Sequence, residues 1–203
     1  MEKFFVLTVW LCLCCGGKQE PTKSAAPETK TLHIAKSVLM VIAPNNFRDE
    51  EFKEPYDLFT ESGMKVTIAS TDTVPAKGML GMVVKPEIEL EQVIPDSFDA
   101  LVVVGGSGAQ VLWDNTTLHR IVQNFNNAKK TIAAICIAPV ALARAGILKD
   151  TKATVSSSVK DEITKEGALY TGADVEISGH IITGSGPQAA KDFARAILNK
   201  LSQ

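Results

Sequence analysis

The sequence has no excess of charge of one sign, few histidines and, after its first residues, almost no cysteine. Its 203 residues carry 21 Lys and Arg against 23 Asp and Glu, so the net charge is −2. That balance gives no electrostatic argument for binding nucleic acid. Only three histidines occur, and no pairs of His or Cys stand at the spacing of a structural metal site. We therefore predict no nucleic-acid partner, no metal and no cofactor.

The first 35 residues differ in composition from the rest of the chain. Residues 1–15, MEKFFVLTVWLCLCC, contain a lysine and then about a dozen mostly apolar residues. Such a stretch is too short to span a bilayer and is typical of a secretory signal. Residues 16–35 are rich in Gly, Pro, Ser, Thr and Lys, which is typical of a flexible tether.

An apolar segment that ends in cysteine and precedes a polar tether resembles a bacterial lipoprotein signal. In this interpretation Cys15, or else Cys14, receives the lipid, although no small residue precedes either of them. The alternative is a simple cleaved signal whose cysteines are lost with it. We expect export to the periplasm or cell envelope, with the lipid attaching the protein to the membrane.

From residue 36 to residue 203, apolar runs alternate with amphipathic segments. The runs SVLMVIA, MKVTIAS, FDALVVVGG and KTIAAIC are typical of buried parallel strands. The segments between them include amphipathic helices, so the pattern predicts an α/β domain, a doubly wound, mostly parallel sheet with helices on both faces. Sites in such sheets form beyond the carboxyl ends of the strands. We therefore expect the segment after Ala43, Gly105 with Gly106, and Cys136 to lie together.

Cys136 is the one cysteine of this domain, and it directly follows the buried strand TIAAI. A helix is expected to begin near Ala138 and Pro139, because proline suits the first helical turn. The sulfur then lies near a helix N-terminus, whose dipole favours the thiolate, as in the nucleophile elbow of hydrolases. The alternative is a structural cysteine buried at a strand end. This stretch by itself leaves both interpretations open.

Four stretches together resemble the ThiJ/PfpI family: VIAPNNFRDEEFKEP, ALVVVGGSGAQ, AAICIAP and ITGSGPQAAKDFARAIL. The resemblance covers residues 37–201, in order and at matching spacing. It implies a flavodoxin-like sandwich that forms a homodimer, with Cys136 as the cysteine of a nucleophile elbow.

The family pairs this cysteine with a glutamate that lies four residues before a proline. Here Pro55 marks the place, so the resemblance implies Glu51 as the partner, and Glu50 is the less favoured neighbour. It also implies that the backbone N–H groups of Gly106 and Ile137 hold a developing oxyanion.

Further residues are expected to line the pocket around the cysteine. These are Gly105, Ser156 and Ser157. Ser158 is a further candidate for this lining. For at least two of the three serines, the alternative interpretation is a polar residue that only fills space at a strand end.

The chain departs from the family at the histidine. Some members place it directly after the cysteine, where this chain has Ile137, and others supply it at the position of Ser156. His33 and His180 are expected at the opposite end of the sheet, and His119 is expected at the surface. We therefore expect no Cys–His pair, which argues against a peptidase or a glutamine amidotransferase.

Two functions remain. In the first, which the resemblance implies, Cys136 acts on small reactive carbonyls or glycated groups, with Glu51 as its acid/base partner, as in a glyoxalase or deglycase. In the second, Cys136 is an oxidation sensor in a stress-protective or chaperone-like binding protein, and Glu51 stabilises the oxidised sulfur. Both hypotheses assume an accessible thiol whose pKa lies well below the free value of about 8.5.

Overall fold

A computed structural model describes residues 36–203, and the predicted signal and tether at 1–35 lie outside this range. The strands are β1 (Ser37–Val41), β2 (Asn45–Phe47), β3 (Lys65–Ser70), β4 (Ala76–Gly78), β5 (Val83–Val84), β6 (Ile88–Glu89), β7 (Ala100–Val103), β8 (Thr131–Ile135), β9 (Lys152–Ala153), β10 (Leu169–Tyr170), β11 (Val175–Ser178) and β12 (Ile181–Gly184). The α-helices are α1 (Asp49–Glu61), α2 (Thr116–Asn127), α3 (Pro139–Arg144), α4 (Lys160–Lys165) and α5 (Ala190–Leu201). Within the described range, none of the helices has the length and apolar character needed to cross a membrane.

Seven strands form the central sheet, in the order β11-β12-β8-β7-β1-β3-β6. Every neighbouring pair is parallel except the hairpin of β11 and β12. The predicted mostly parallel sheet is thus confirmed. The segment KATVSSS forms only the two-residue β9, outside this sheet, and is followed by a 3-10 turn at Ser157–Val159.

The sheet separates two hydrophobic cores, as helices on both faces require. Side chains alternate along a strand, so Leu39 and Val41 face one core while Val38 and Met40 face the other. The first core includes apolar residues of α2, α3 and α4, and the second includes those of α1 and α5. The apolar faces read from the sequence are therefore the ones that are buried.

The glycine-rich loop after β7 packs directly on the segment after β1. A Cβ added to Gly108 would lie 1.7 Å from the carbonyl oxygen of Asn45, and one added to Gly106 would lie 2.3 Å from the backbone nitrogen of Arg48. Gly106 also has a φ of +99°, which favours glycine. Only glycine therefore allows these two segments to approach each other at the carboxyl ends of the strands.

Packing in the second core predicts how much Phe193 contributes to the stability of the domain next to β12. Phe193 is fully buried, and its ring lies 3.1 Å from the position that a Cβ on Gly184 of β12 would take. Phe193→Ala leaves a cavity there, so we expect the free energy of unfolding in urea to fall by about 3–5 kcal/mol. Phe193→Leu retains most of the volume and is expected to cost less. A loss below about 1 kcal/mol for the alanine variant would contradict this packing.

Candidate active site

Cys136 lies at a sharp turn between β8 and α3. Its φ is +64°, in the left-handed region that residues other than glycine seldom adopt. Its N–H donates to the carbonyl of Gly184 (2.9 Å), and its carbonyl accepts from the N–H of Ser156 (2.8 Å). Pro139 then begins α3, as predicted. The chain thus has the strand–turn–helix geometry of a nucleophile elbow, at a conformational cost of about 1–3 kcal/mol.

The half-buried Cys136 lines a cavity of about 320 Å³ beyond the carboxyl ends of the strands. The cavity brings together residues from six separate segments of the chain. Among the other lining residues are Arg48, Glu51, Gly106, Ile137, Ser156 and Ser158. The thiol is therefore accessible to a small molecule.

The predicted pocket serines differ in their placement. Ser156 lines the cavity, and its Oγ lies 2.9 Å from Oγ of Ser158, which lines it as well. Ser157 is exposed and is not part of the lining. The prediction for Ser157 was wrong because the chain turns into a 3-10 helix at that residue, so neighbouring side chains point in different directions.

Gly105 lies behind the cavity and is not part of its lining. A Cβ at this position would lie 2.5 Å from Oε2 of Glu51 and 2.6 Å from Cβ of Cys136. The absence of a side chain at Gly105 is therefore what allows the carboxyl group and the cysteine to approach each other. Gly105 was expected to line the pocket, and the structure instead gives it the role of making room for Glu51 beside Cys136.

Glu51 is fully buried in the first turn of α1. Within residues 36–203, no donor meets hydrogen-bond geometry with either carboxyl oxygen, although the thiol of Cys136 and the N–H of Gly105 lie close enough to affect the carboxyl group. Burial raises the pKa of Glu51 to about 7, against the opposing effects of that thiol, of Arg48 and of that N–H. Glu51 can therefore gain or lose a proton near neutral pH.

The pKa of the thiol differs from the expectation. Burial, and then the charge of Glu51, raise the pKa of Cys136 to about 11. The backbone N–H groups of Gly106 and Ile137 both donate toward the sulfur and lower the pKa, but by less. The expected pKa well below 8.5 was wrong, because the sequence does not show how deeply the sulfur is buried, and burial outweighs the two N–H groups. Burial and the charge of Glu51 therefore both favour the protonated thiol over the thiolate.

Trp113 makes a hydrogen bond to the backbone of the elbow, and sequence reasoning missed this residue. Its Nε1–H donates to the carbonyl of Ile137 (2.9 Å), for which the N–H of Val140 is a distant partner at 3.4 Å. The carbonyl of Trp113 lies 2.7 Å from Nε2 of His119. The guanidinium of Arg144 lies 5.1 Å from the centre of the Trp113 ring. Nothing in the local sequence indicates a contact between residues 24 positions apart.

Arg48 is a second residue that sequence reasoning missed. Its Nη2 donates to Oε1 of Glu50 (3.0 Å), and its Nε lies 2.8 Å from Oε2 of the same carboxylate. Glu50 is not part of the cavity lining, so Glu51 is the glutamate that faces Cys136. Charged residues at a helix start are usually solvated, and the sequence therefore gave no reason to select Arg48.

His119 and His180, the two histidines of the described range, lie away from the sulfur. His119 is half-buried, and its Nε2 lies next to the backbone carbonyl of Trp113. His180 directly precedes β12, and its Nε2 lies 2.9 Å from Oδ1 of Asn126. His33 precedes the described range. Neither of the other two lines the cavity. In residues 36–203 there is also no group of three or more His, Cys, Asp or Glu side chains placed to hold a metal ion.

Comparisons of sequence and of structure relate this chain to the same group of known proteins. The chain is 43% identical to an uncharacterized protein of Methanocaldococcus jannaschii over 169 residues, 82% of each chain. It is 30% identical to a glutathione-independent glyoxalase of Caenorhabditis elegans, over 82% of this chain and 89% of that one. It is also 30% identical to a deglycase of Pyrococcus horikoshii, over 73% and 90%.

A solved structure has the same architecture. The ThiJ/PfpI domain protein of Brachyspira murdochii superposes with a TM-score of 0.81 at 32% sequence identity, covering 83% of this chain and 97% of that one. The DJ-1/PfpI family matches residues 36–200, which is nearly the whole described range. The chain belongs to the DJ-1/PfpI family.

Proposed function

We propose that the protein acts through Cys136 and Glu51 on small reactive carbonyls or glycated groups, with a glyoxalase-like or deglycase-like activity. The observation that carries this proposal is a buried carboxyl group with a pKa of about 7 beside a half-buried thiol in an open cavity. Such a carboxyl group is suited to general acid–base work at neutral pH. The names of the glyoxalase and deglycase relatives support the same chemistry.

In the first step, Glu51 generates the nucleophile. The carboxylate takes the proton of the Cys136 thiol as the sulfur attacks the aldehyde carbon of the substrate, so an S–C bond forms. The electron pair of the carbonyl bond moves to oxygen, where the N–H groups of Gly106 and Ile137 are available as donors. Return of a proton to that oxygen gives a hemithioacetal. Because the pKa of the thiol is raised rather than lowered, the transfer of its proton to Glu51 has to be coupled to the attack on the substrate.

With methylglyoxal, the same carboxylate completes the reaction. Glu51 removes the proton from the carbon bound to sulfur and returns a proton to the neighbouring carbon. The hydroxyl proton of the first carbon passes to the carbonyl oxygen of the neighbouring carbon, and the hemithioacetal thereby becomes a thioester. Water then hydrolyses the thioester to lactate and restores the thiol. The net change is the addition of one water molecule to methylglyoxal, without any redox partner.

An oxidation sensor is the alternative function, and the placement of the histidines favours it. Among residues 36–203, no histidine lines the cavity to act as a second proton carrier for the pair. The N–H groups directed at the sulfur are equally suited to donate to the oxygens of a sulfinate, and a protonated Glu51 is suited to donate to one of them.

Methylglyoxal consumption tests the proposed activity. We expect the protein to convert methylglyoxal to lactate, and Cys136→Ser to abolish this because the S–C bond cannot form. Glu51→Gln is expected to lower kcat by at least about 100-fold, the usual contribution of a general base. Lactate is measured by chromatography, and Glu50→Gln is the matched control because Glu50 is not part of the cavity lining.

The absence of lactate above the uncatalysed rate would contradict the enzymatic proposal. If peroxide then adds two oxygens to Cys136 in the tryptic peptide 131–144, the oxidation sensor is the function to retain.

Glu51→Gln also tests the electrostatics of the pair. Removing the negative charge removes its repulsion of the thiolate, so the pKa of Cys136 should fall from about 11 toward its ordinary value of 9. The measurement is the pH dependence of alkylation by iodoacetamide, followed on peptide 131–144. The variant should therefore be alkylated faster at pH 8 while it loses turnover. An unchanged pKa would mean that Glu51 does not act on the sulfur.

We also propose that the protein is exported and anchored by a lipid on Cys15, on the basis of the N-terminal sequence described above. Cys15→Ser should then move the protein from the membrane fraction to the soluble fraction of its native host or of an expressing bacterium. Cys14→Ser serves as the control, because it leaves the proposed acceptor intact. An unchanged distribution of the Cys15→Ser protein would refute anchoring at this residue.

A further inference from the structure

The cavity at Cys136 contains a cationic group that the proposed chemistry does not use. Arg48 is the one Lys or Arg among the described residues that line it. Glu50 occupies one edge of the guanidinium, through Nη2 at 3.0 Å and beside Nε at 2.8 Å. Within residues 36–203, Nη1 has no protein acceptor. A guanidinium carries five N–H groups, so one edge of Arg48 remains available to a ligand.

Glu51 provides a second, independent indication that a polar ligand belongs in this cavity. It is fully buried and lines the cavity, and neither carboxyl oxygen has a partner of hydrogen-bond geometry within the described range. Buried polar groups without partners are rare in folded proteins and usually receive one from a ligand or water. The volume of about 320 Å³ accommodates a small metabolite of roughly ten water-sized groups.

We propose that Arg48 makes this cavity a site for carboxylate-bearing electrophiles, with the ligand carboxylate on the free edge of the guanidinium and the electrophilic carbon at Cys136. The substrate class is therefore small aldehydes or ketones that also carry a carboxylate. The inference rests on the reactive-cysteine site of the proposed function, but its test requires no turnover.

The local charges allow an anion to bind. Glu50 is partly exposed, so solvent screens its repulsion of a ligand. Glu51 is protonated below about pH 7 and then offers a donor instead of a charge. Arginine binds a carboxylate through two parallel N–H bonds, which a neutral ligand of the same size cannot form.

Two alkylating reagents of nearly equal size separate this charge effect from the reactivity of the thiol. Iodoacetate carries a carboxylate, and iodoacetamide carries a neutral amide in its place. With either reagent the sulfur forms a bond to the CH2 carbon, iodide leaves and the thiol proton passes to buffer. Peptide 131–144 contains Cys136 as its only cysteine, so mass spectrometry of this peptide reports the rate at that residue alone. The ratio of the two rates is independent of the thiolate fraction.

The rate with iodoacetate is divided by the rate with iodoacetamide at pH 6.5, and this ratio is then divided by the same ratio for a small free thiol. We expect the normalised ratio to be about ten. Arg48→Gln should return it to about one. Arg48→Lys should give an intermediate value, because lysine retains the charge but lacks the planar pair of donors. Arg195→Gln makes the same change of charge on α5, away from the cavity, and should leave the ratio unchanged.

Equal ratios in the wild-type protein and Arg48→Gln would overturn the proposal, as would an equal decrease in Arg195→Gln. Failure of both reagents to modify Cys136 would contradict the open cavity on which the inference rests. Absence of methylglyoxal turnover together with an Arg48-dependent ratio would reject the enzymatic activity and retain the carboxylate site.

Discussion

The left-handed backbone at Cys136 is the constraint on which the rest of the site depends. A residue with a Cβ does not hold a φ of +64° by itself, and the surrounding structure supplies the restraint. Gly184 accepts its N–H, and Ser156 donates to its carbonyl. Trp113 then fixes the following peptide through the carbonyl of Ile137. Because β12, the segment after β9 and the loop after β7 each provide one of these contacts, the elbow exists only in the assembled domain.

The approach of Glu51 to this elbow has an electrostatic cost that favours the protonated thiol. Burial destabilises the carboxylate and the thiolate alike, and each charge further disfavours the other. Two N–H groups and the guanidinium of Arg48 offset part of that cost. The protonated thiol is thus favoured, and the thiolate forms as a reaction consumes it. A strongly acidic thiol would instead be exposed to every oxidant and electrophile that enters the cavity.

The sequence predicted the parts of the structure that depend on local pattern. Apolar runs such as SVLMV and TIAAI correspond to β1 and β8, and the apolar stripe of α2 is the face that is buried. The position of Cys136 at a turn follows from a strand that ends one residue before it and a proline three residues after it. Glu51, by contrast, was indicated only by the resemblance to a family, since nothing local distinguishes it from Glu50.

Properties that depend on tertiary packing were missed or were wrong. The pKa of Cys136 depends on how deeply the sulfur is buried and on a charge supplied by another element, neither of which is visible along the chain. Ser158 rather than Ser157 lines the cavity because of a single 3-10 turn. Under the proposed function, the missing histidine leaves the carboxyl group of Glu51 to serve as both acid and base. Burial beside Gly105 raises the pKa of Glu51 to about 7, which suits that proposed role at neutral pH.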